Sequence, residues 1–410
     1  MAKTKKKTTP QDLQKQASEK HKKEYFKKMK YMINSYSLED VYSYIPPRIL
    51  DAIYEGRHLS VKFEKGPNQA IEPKLMNFFN TTAISHIKTE QIYLQPSGNG
   101  ISMFDYLTVY KTLVILKSTI ESDLVPHFKG IEKLKISLLI MANDTKLVED
   151  FNASIAPVMH LYALYFSDIR KNIYSFSVEN IHGLEDSGDR TIVLVNSTVC
   201  KKQSFCIDGS NRPAYKFGWS LYGKGWVDCE LEASLFNIKH QDPNHKIKVY
   251  IQPHAIERLH ERTDAEWIGV IQFDTFHSFQ KPVVTHDDHH NFLIEYRHME
   301  HKIGYFVANI VDGCVFIRTF LFITNTGTPE GKRLEKLTGL KKLDKKYLAI
   351  DRMSTFMNSD LAENPEIQKL LANSNCQSVI DLYYVQKDIF TADKSASAEK
   401  ILKYLRHSNN

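Results

Sequence analysis

The sequence predicts an α+β protein in which a helix-rich N-terminal domain with a β-rich extension precedes a C-terminal domain with a mainly antiparallel sheet packed by helices. Three observations support this class. Apolar residues recur at helical spacing through most of the first 170 positions, strand-like alternation begins near Ile173, and strands and helices alternate after residue 246. The length of 410 residues, with 42% hydrophobic and 25% charged residues, suits two or three folded domains rather than a disordered or fibrous chain.

A lysine-rich segment comes first in the chain, and residues 1–24 are predicted to be a disordered basic arm. The first 30 residues contain eleven lysines and three acidic residues, a net charge of +8, which leaves −2 for the rest of the chain. Such a segment attracts polyanions, so RNA or another polyanion is the expected partner. The alternative is a solvated tail that only aids solubility. The lysines predicted to bind nucleic acid are Lys5, Lys6, Lys7, Lys22 and Lys23.

Residues 25–245 form the predicted N-terminal domain, through which a protein partner is also expected. Its clearest helix covers residues 101–121, where apolar residues are spaced for an amphipathic face. The other predicted elements are short helices within Tyr25–Tyr54, a strand at Ile136–Met141, a helix over 145–168 that contains Pro157, and strands at Ile192–Val195, Tyr215–Leu221 and Trp226–Leu231.

Residues 246–410 form the predicted C-terminal α+β domain, which ends in helices. Pro253 ends a first strand, Lys246–Gln252, and begins a helix from His254 to about Asp264. Asp312-Gly313 is a strong hairpin signal. The later predicted strands are Trp267–Phe273, Phe292–His298, Ile303–Val311 and Val315–Thr324, with a His-rich loop from Asp274 to Asn291.

The predicted helix after Pro253 carries the first candidate site. His254, Arg258 and Arg262 recur every four residues on one face, while Ala255, Ile256 and Leu259 lie on the other. Imidazole moves protons near neutral pH and guanidinium pairs with phosphate oxygens, so this face suits a phosphodiester. The alternative is an ordinary solvated face, because glutamates on the same helix lie within ion-pairing reach of Arg258.

Arg318 is the fourth predicted site residue. It lies in an apolar strand that is expected to be central, on the face that regular alternation gives to Phe316, Phe320 and Phe322. A cation there must be paired or face a cleft. Thr319 is expected on the opposite face unless the strand is bulged.

The helix with His-Ala-x-x-Arg-x-x-x-Arg, followed by a β-meander that contains Gly-Tyr-Phe and a strand that bears Arg-Thr, resembles the metal-independent ribonuclease and toxin superfamily that includes barnase, RelE-like toxins and colicin-type nuclease domains. The resemblance covers about residues 247–340. It implies an endoribonuclease of toxin type, with the substrate 2′-hydroxyl as nucleophile, His254 as acid or base, and Arg258, Arg262 or Arg318 stabilising the phosphorane. The sequence departs from the family in its His-rich loop and in lacking a clear carboxylate base. A non-enzymatic interaction or scaffold protein is the alternative.

Ten of the seventeen histidines lie between His240 and His301, which raises a further alternative. His286 and His289, with Asp287 or Asp288, have the ligand types for a divalent ion in a metal-dependent phosphodiesterase, and His290 adjoins them. No helical His-Glu-x-x-His motif is present, so a polar loop is favoured and no metal or other cofactor is predicted.

Five scattered cysteines without a paired spacing indicate reduced thiols. With a polar N-terminus in place of an apolar signal segment, they lead us to expect a cytoplasmic location. The longest apolar runs are far too short to span a membrane, so no membrane partner is expected.

Overall fold

A computed structural model describes residues 9–58, 61–67, 70–95, 97–181, 190–221, 224–242, 244–264, 266–387 and 397–408. The fold is α+β, as predicted, and contains a curled, mainly antiparallel sheet packed by helices. Two compact units divide the chain: residues 1–160 with 176–197, and residues 161–175 with 198–410. The second unit therefore starts its sheet well before the predicted boundary at residue 246.

The first unit consists mainly of helices. In chain order its elements are α1 (Pro10–Ser35), α2 (Pro47–Glu55), β1 (Val61–Lys65), α3 (Pro73–Phe78), α4 (Ile84–Thr89), β2 (Gln91–Tyr93), β3 (Gly100–Ser102), α5 (Met103–Asp105), α6 (Lys111–Glu121), α7 (Ile131–Ala142), α8 (Thr145–Phe166), β4 (Ile173–Ile181) and β5 (Arg190–Thr198). The last residues of α8 and the first of β4 belong to the second unit. β1 pairs in parallel with β5, which lies between β1 and β4, and β2 pairs with β3.

Two segments of π-helix join helices of the first unit. Phe79–Ala83 connects α3 to α4, and Tyr106–Tyr110 connects α5 to α6. The helix predicted over residues 101–121 is thus confirmed, with a π-helical turn inside it. Such turns are rare and occur often at functional sites.

Helix α1 corrects the prediction of disorder through residue 24. Its first turn is closed by a capping box, in which the Thr9 hydroxyl accepts from the Asp12 amide at 3.2 Å and the Asp12 carboxylate accepts from the Thr9 amide at 3.1 Å. Tyr25, Met29 and Ile33 are buried one turn apart, so packing holds the second half of the helix. Lys5, Lys6 and Lys7 lie outside the described residues.

The second unit contains the large sheet. Its elements are β6 (Lys202–Ile207), β7 (Ser210–Lys216), β8 (Gly218–Leu221), β9 (Gly225–Asp228), β10 (Glu230–Glu232), β11 (Lys246–Ile251), α9 (Pro253–Arg262), α10 (Ile268–Ser278), β12 (Val284–His286), β13 (Phe292–His298), β14 (His301–Val311), β15 (Cys314–Phe322), α11 (Pro329–Thr338), α12 (Lys342–Tyr347), α13 (Met353–Met357), α14 (Pro365–Asn373), α15 (Gln377–Gln386) and α16 (Ala398–Ser408).

The sheet order is β12-β13-β14-β15-β11-β7-β6, with β10 paired to β11. β11 is parallel to β15, and the neighbouring strand pairs β12–β13, β13–β14, β14–β15, β11–β7 and β6–β7 are antiparallel. The Asp312-Gly313 hairpin is confirmed, with both residues at positive φ. One face of the sheet packs against helices in the main core, to which α9 contributes Ala255, Ile256 and Leu259.

Two predicted strands are helices. Ile136–Met141 lies in α7, where Leu134, Leu138 and Met141 are buried at helical spacing. Trp267–Phe273 lies mostly in α10, which continues to Ser278, so part of the predicted loop is helical and β12 occupies another part. In both cases a largely apolar run concealed the helical period.

Candidate functional site

Helix α9 has the predicted face with His254, Arg258 and Arg262, but the three side chains have different surroundings. His254 is exposed in the first turn, and the buried apolar face is the one predicted. Arg258 pairs with Glu261 at 2.6 Å on the surface. Arg262 instead pairs with Asp351 in a largely buried contact and also donates to the Asp351 carbonyl oxygen at 3.2 Å. Arg262 therefore links α9 to the segment before α13 rather than facing a substrate.

Arg318 lies on the opposite face of the sheet from α9. Val307 pairs with Thr319 and Ala308 with Ile317, so Arg318 is an extra residue in a β-bulge. The bulge shifts the alternation, which places Ile317 and Phe320 together in the helix-covered core. The prediction that Arg318 shares a face with Phe320 is therefore wrong.

The neighbours of Arg318 define this second face. Its Nη1 donates to Asn309 Oδ1 at 3.1 Å, and Asn309 lies opposite Phe316, which packs in a small separate cluster with Phe205 and Tyr250. Thr319 lies opposite Val307 on the same face. The four residues predicted as catalytic thus do not form one site.

A charged network occupies the same second face nearer α11. Glu330 is buried and accepts from Lys302 Nζ at 2.7 Å and from the Tyr305 hydroxyl at 3.0 Å. Burial alone lowers the pKa of a lysine, but the bond to Glu330 outweighs it and raises the pKa of Lys302 above its ordinary value. The lysine stays charged, so this network holds the start of α11 against β14 and offers no free base.

His298 is a buried cation that sequence reasoning missed. Its side chain is 1% exposed, with Nδ1 at 2.5 Å from Asp274 and Nε2 at 3.4 Å from Glu266 and 2.8 Å from the Gln386 amide. Burial lowers its pKa, but the two carboxylates raise it to about 9 overall. Side chains two residues apart in a strand share a face, and Ile294 and Tyr296 of β13 are buried. The same spacing predicts that the His298 side chain is buried as well.

The loop histidines do not assemble a metal centre. The Asp287 carboxylate accepts from the backbone amides of His289 and Asn291 at 2.9 and 2.8 Å, and Asp288 pairs with Lys332. Both carboxylates are therefore used within the protein. In the described parts of the chain, no group of three or more His, Cys, Asp or Glu side chains is placed to hold a metal ion.

Helix α1, which contains the predicted Lys22 and Lys23, carries several exposed lysines on its surface. Lys22 is committed to the fold, because it pairs with Asp51 at 2.8 Å and lies over the rings of Phe26 and Tyr54. Lys23 is exposed and, like Lys20 and Lys27, forms no ion pair with a described residue. These three lie at i, i+3 and i+7, which places them along one side of the helix.

No protein-family model, curated protein or solved structure matches this chain.

Over the described residues, no helix combines the length and apolar character that crossing a bilayer requires. The five cysteines are free thiols, as expected from their spacing. Burial raises the pKa of Cys200 to about 12 and that of Cys376 to about 11, so neither thiol is reactive at neutral pH.

An apolar groove of about 560 Å³ lies in the first unit. One wall is α2, with Ile49 and Ile53, and the other is α6, with Ile115 and Leu116. The segment that contains Leu124, whose side chain is 75% exposed, closes one side. Arg48 and His127 are the ionisable residues at this groove. An apolar floor with a guanidinium and an imidazole at its edge suits an amphipathic ligand that carries negative charge.

Proposed function

We propose that this protein binds RNA through the lysine face of α1. The observation that carries the proposal is the alignment of Lys20, Lys23 and Lys27 on a capped, packed helix, with no described ion pair to compete for them. A folded helix holds the three ammonium groups in fixed register, so binding orders fewer side-chain and backbone torsions than binding by a flexible arm. Phosphate contacts of this kind are independent of base sequence.

The resemblance of residues 247–340 to ribonuclease toxins supports RNA as the polyanion. His254 and Arg258 are accessible on α9, but Arg262 is committed to Asp351 and Arg318 lies across the sheet. Endonuclease activity therefore remains a separate hypothesis with a separate test.

The test of RNA binding is fluorescence anisotropy with a labelled 20-nucleotide single strand over a range of salt concentrations. Neutralising about three phosphates predicts that log K falls by about 2 per tenfold rise in salt. The triple variant K20E/K23E/K27E is expected to bind about tenfold more weakly or worse, with a flatter salt dependence.

The matched control is K336E/K342E/K346E, which changes the charge equally at exposed lysines of the second unit that also lack a described ion pair. Equal loss of binding in both triple variants would show that net charge, not the α1 face, governs binding. Unchanged binding by K20E/K23E/K27E would reject the proposal.

A second candidate function is capture of a partner's amphipathic helix in the α2–α6 groove. Two helical walls leave a channel suited to a third helix, and Arg48 and His127 complement acidic residues beside its apolar stripe. A helical peptide with a Leu stripe and flanking Glu residues is the probe. Ala52→Trp, which fills the groove, should abolish binding, whereas the same peptide with Lys in place of Glu should bind more weakly. Equal binding of both peptides, or binding that survives Ala52→Trp, would reject this candidate.

A further inference from the structure

A second cavity in the first unit, of about 100 Å³, is polar rather than apolar. It lies between α1, the end of α2 and the helix that runs from α5 into α6. A water molecule needs roughly 10–15 Å³ of such space, so the cavity has room for several waters or one small anion. Its ionisable lining residues are His21, Glu24, Tyr25, Lys28, Arg57, His58 and Asp105.

The charges in this cavity favour an anion. Lys28 pairs with Asp105 at 2.7 Å, which leaves the Arg57 guanidinium, stacked 3.8 Å from the centre of the Tyr54 ring, as the remaining strong cation. Glu24 and Asp105 are the carboxylates among the lining residues, and the charge of Asp105 is balanced by Lys28. Burial, and then the charges of Arg57 and Lys28, lower the pKa of His21, which shows that both cations act on this side of the cavity.

The Tyr25 hydroxyl is a buried donor at the same place. Tyr25 is 6% exposed, and its hydroxyl forms no hydrogen bond within 3.5 Å of a described residue. The nearby Thr112 hydroxyl donates to the Thr108 carbonyl at 2.7 Å and accepts from the His58 amide at 2.9 Å, so only one of its lone pairs remains to accept from Tyr25. An enclosed hydroxyl without a partner is costly, and a ligand oxygen in the cavity would satisfy it.

The helix that runs from α5 into α6 forms one wall of the cavity and contains a π-helical turn. Thr108 and Val109 line the cavity from within the π-helical turn Tyr106–Tyr110. π-Helical turns are rare and lie frequently at functional sites. Here such a turn coincides with the polar cavity of the first unit.

We propose that this cavity binds a phosphate monoester, with Arg57 pairing with the phosphate oxygens, Lys28 bridging Asp105 and the phosphate, and the Tyr25 hydroxyl donating to one phosphate oxygen. Arginine suits this role because its planar donors match two phosphate oxygens. The phosphate has two potential sources, a free nucleoside monophosphate or the 5′ end of an RNA. Only the second rests on the proposed RNA binding.

Isothermal titration of the full chain with inorganic phosphate and with adenosine monophosphate tests the site without RNA. Arg57→Gln should weaken binding at least about tenfold, and Tyr25→Phe should weaken it several-fold. Glu24→Gln should tighten binding several-fold, because it removes the opposing charge. Misfolding cannot produce tighter binding, so this variant keeps the test decisive. Arg333→Gln, at an exposed arginine of the second unit, is the matched control and should change nothing.

Competition between 5′-phosphorylated and 5′-hydroxyl RNA 10-mers separates the sources. Preference for the phosphorylated RNA, lost in Arg57→Gln, assigns the site to RNA ends. Phosphate binding without that preference assigns it to a free monoester. No heat of binding for either small probe at 10 mM overturns the proposal, whereas failure of K20E/K23E/K27E to affect RNA binding overturns only the proposed function.

Discussion

Arg258 and Arg262 are separated by one turn of α9, yet the structure gives them different roles. The Arg262 side chain is 17% exposed and that of Asp351 is 8% exposed, whereas the Arg258–Glu261 pair lies in solvent. Arg262→Ala strands the Asp351 charge in a mostly buried position, so we expect it to lower the free energy of unfolding by about 3 kcal/mol. Arg258→Ala is the matched control and should cost less than about 1 kcal/mol.

Urea unfolding followed by tryptophan fluorescence measures both changes. The three tryptophans, Trp219, Trp226 and Trp267, all lie in the second unit, so the signal reports the unit that contains α9. Adding Asp351→Asn to Arg262→Ala should recover part of the loss, because the stranded charge is removed. Equal effects of the two arginine substitutions would contradict a structural role for Arg262.

His254 is the residue on which the cleavage hypothesis depends. Its side chain is exposed, so His254→Ala should leave the unfolding free energy nearly unchanged. If His254 is the acid or base, the substitution should lower the cleavage rate in EDTA by roughly 100-fold or more, with cyclic-phosphate ends on the wild-type products. An RNA substrate that stays intact with wild-type protein in EDTA would end this hypothesis while leaving the binding proposal in place.

At the scale of elements, His298 joins the end of β13 to α10 through Asp274, and its ring lies against Gln386 of α15. Its folded-state pKa of about 9 lies above the ordinary value of 6.5, so folding favours the charged form. The stability that this provides is fully present below pH 6.5 and is lost as the pH rises through 9. A shift of this size corresponds to a contribution on the order of 3 kcal/mol.

His298→Gln isolates this contribution from the other groups that titrate in the same range. The difference in unfolding free energy between wild type and variant should be large at pH 6 and should shrink by roughly 3 kcal/mol at pH 9.5. Tryptophan fluorescence during urea unfolding again measures the second unit. A difference that does not change with pH would mean that His298 is not a buried cation.

Helices and strands whose apolar residues recur at a regular helical or strand spacing were predicted from the sequence. Elements without such a spacing were not. α9 was predicted to within a few residues because Pro253 marks its start and its apolar residues keep one face. α7 was mistaken for a strand because Ile136, Leu139 and Ile140 are apolar although exposed, which hides the buried stripe. The bulge at Arg318 could not be predicted, because it depends on the pairing of β15 with β14 rather than on local sequence.

At the scale of the whole molecule, the spacing of apolar residues was enough to predict the α+β class but not the limits of the two units. The strands before residue 246 belong to the same sheet as those after it: β7 and β10 both pair with β11. Sequence separation concealed this, because pairing partners across a long connection leave no local signal. The position of the candidate residues also depends on this scale, since His254 lies on a helix that covers one face of the sheet and Arg318 lies on the other face.

The pairing of β11 predicts which fragment of the second unit can fold. Residues 246–410 lack β6, β7 and β10, and with them Tyr215, Phe217 and Trp219 of the main core. Exposing one edge of β11 and removing these large side chains should cost far more than the 5–15 kcal/mol that stabilises a typical domain. Residues 198–410 retain every strand of the large sheet and lose only the short segment 161–175 from the unit. We therefore expect cooperative thermal unfolding and a near-ultraviolet circular dichroism signal from residues 198–410, and neither from residues 246–410. Cooperative unfolding of the shorter fragment would show instead that the sheet from β11 to β15 is an independent domain, with its boundary near residue 246.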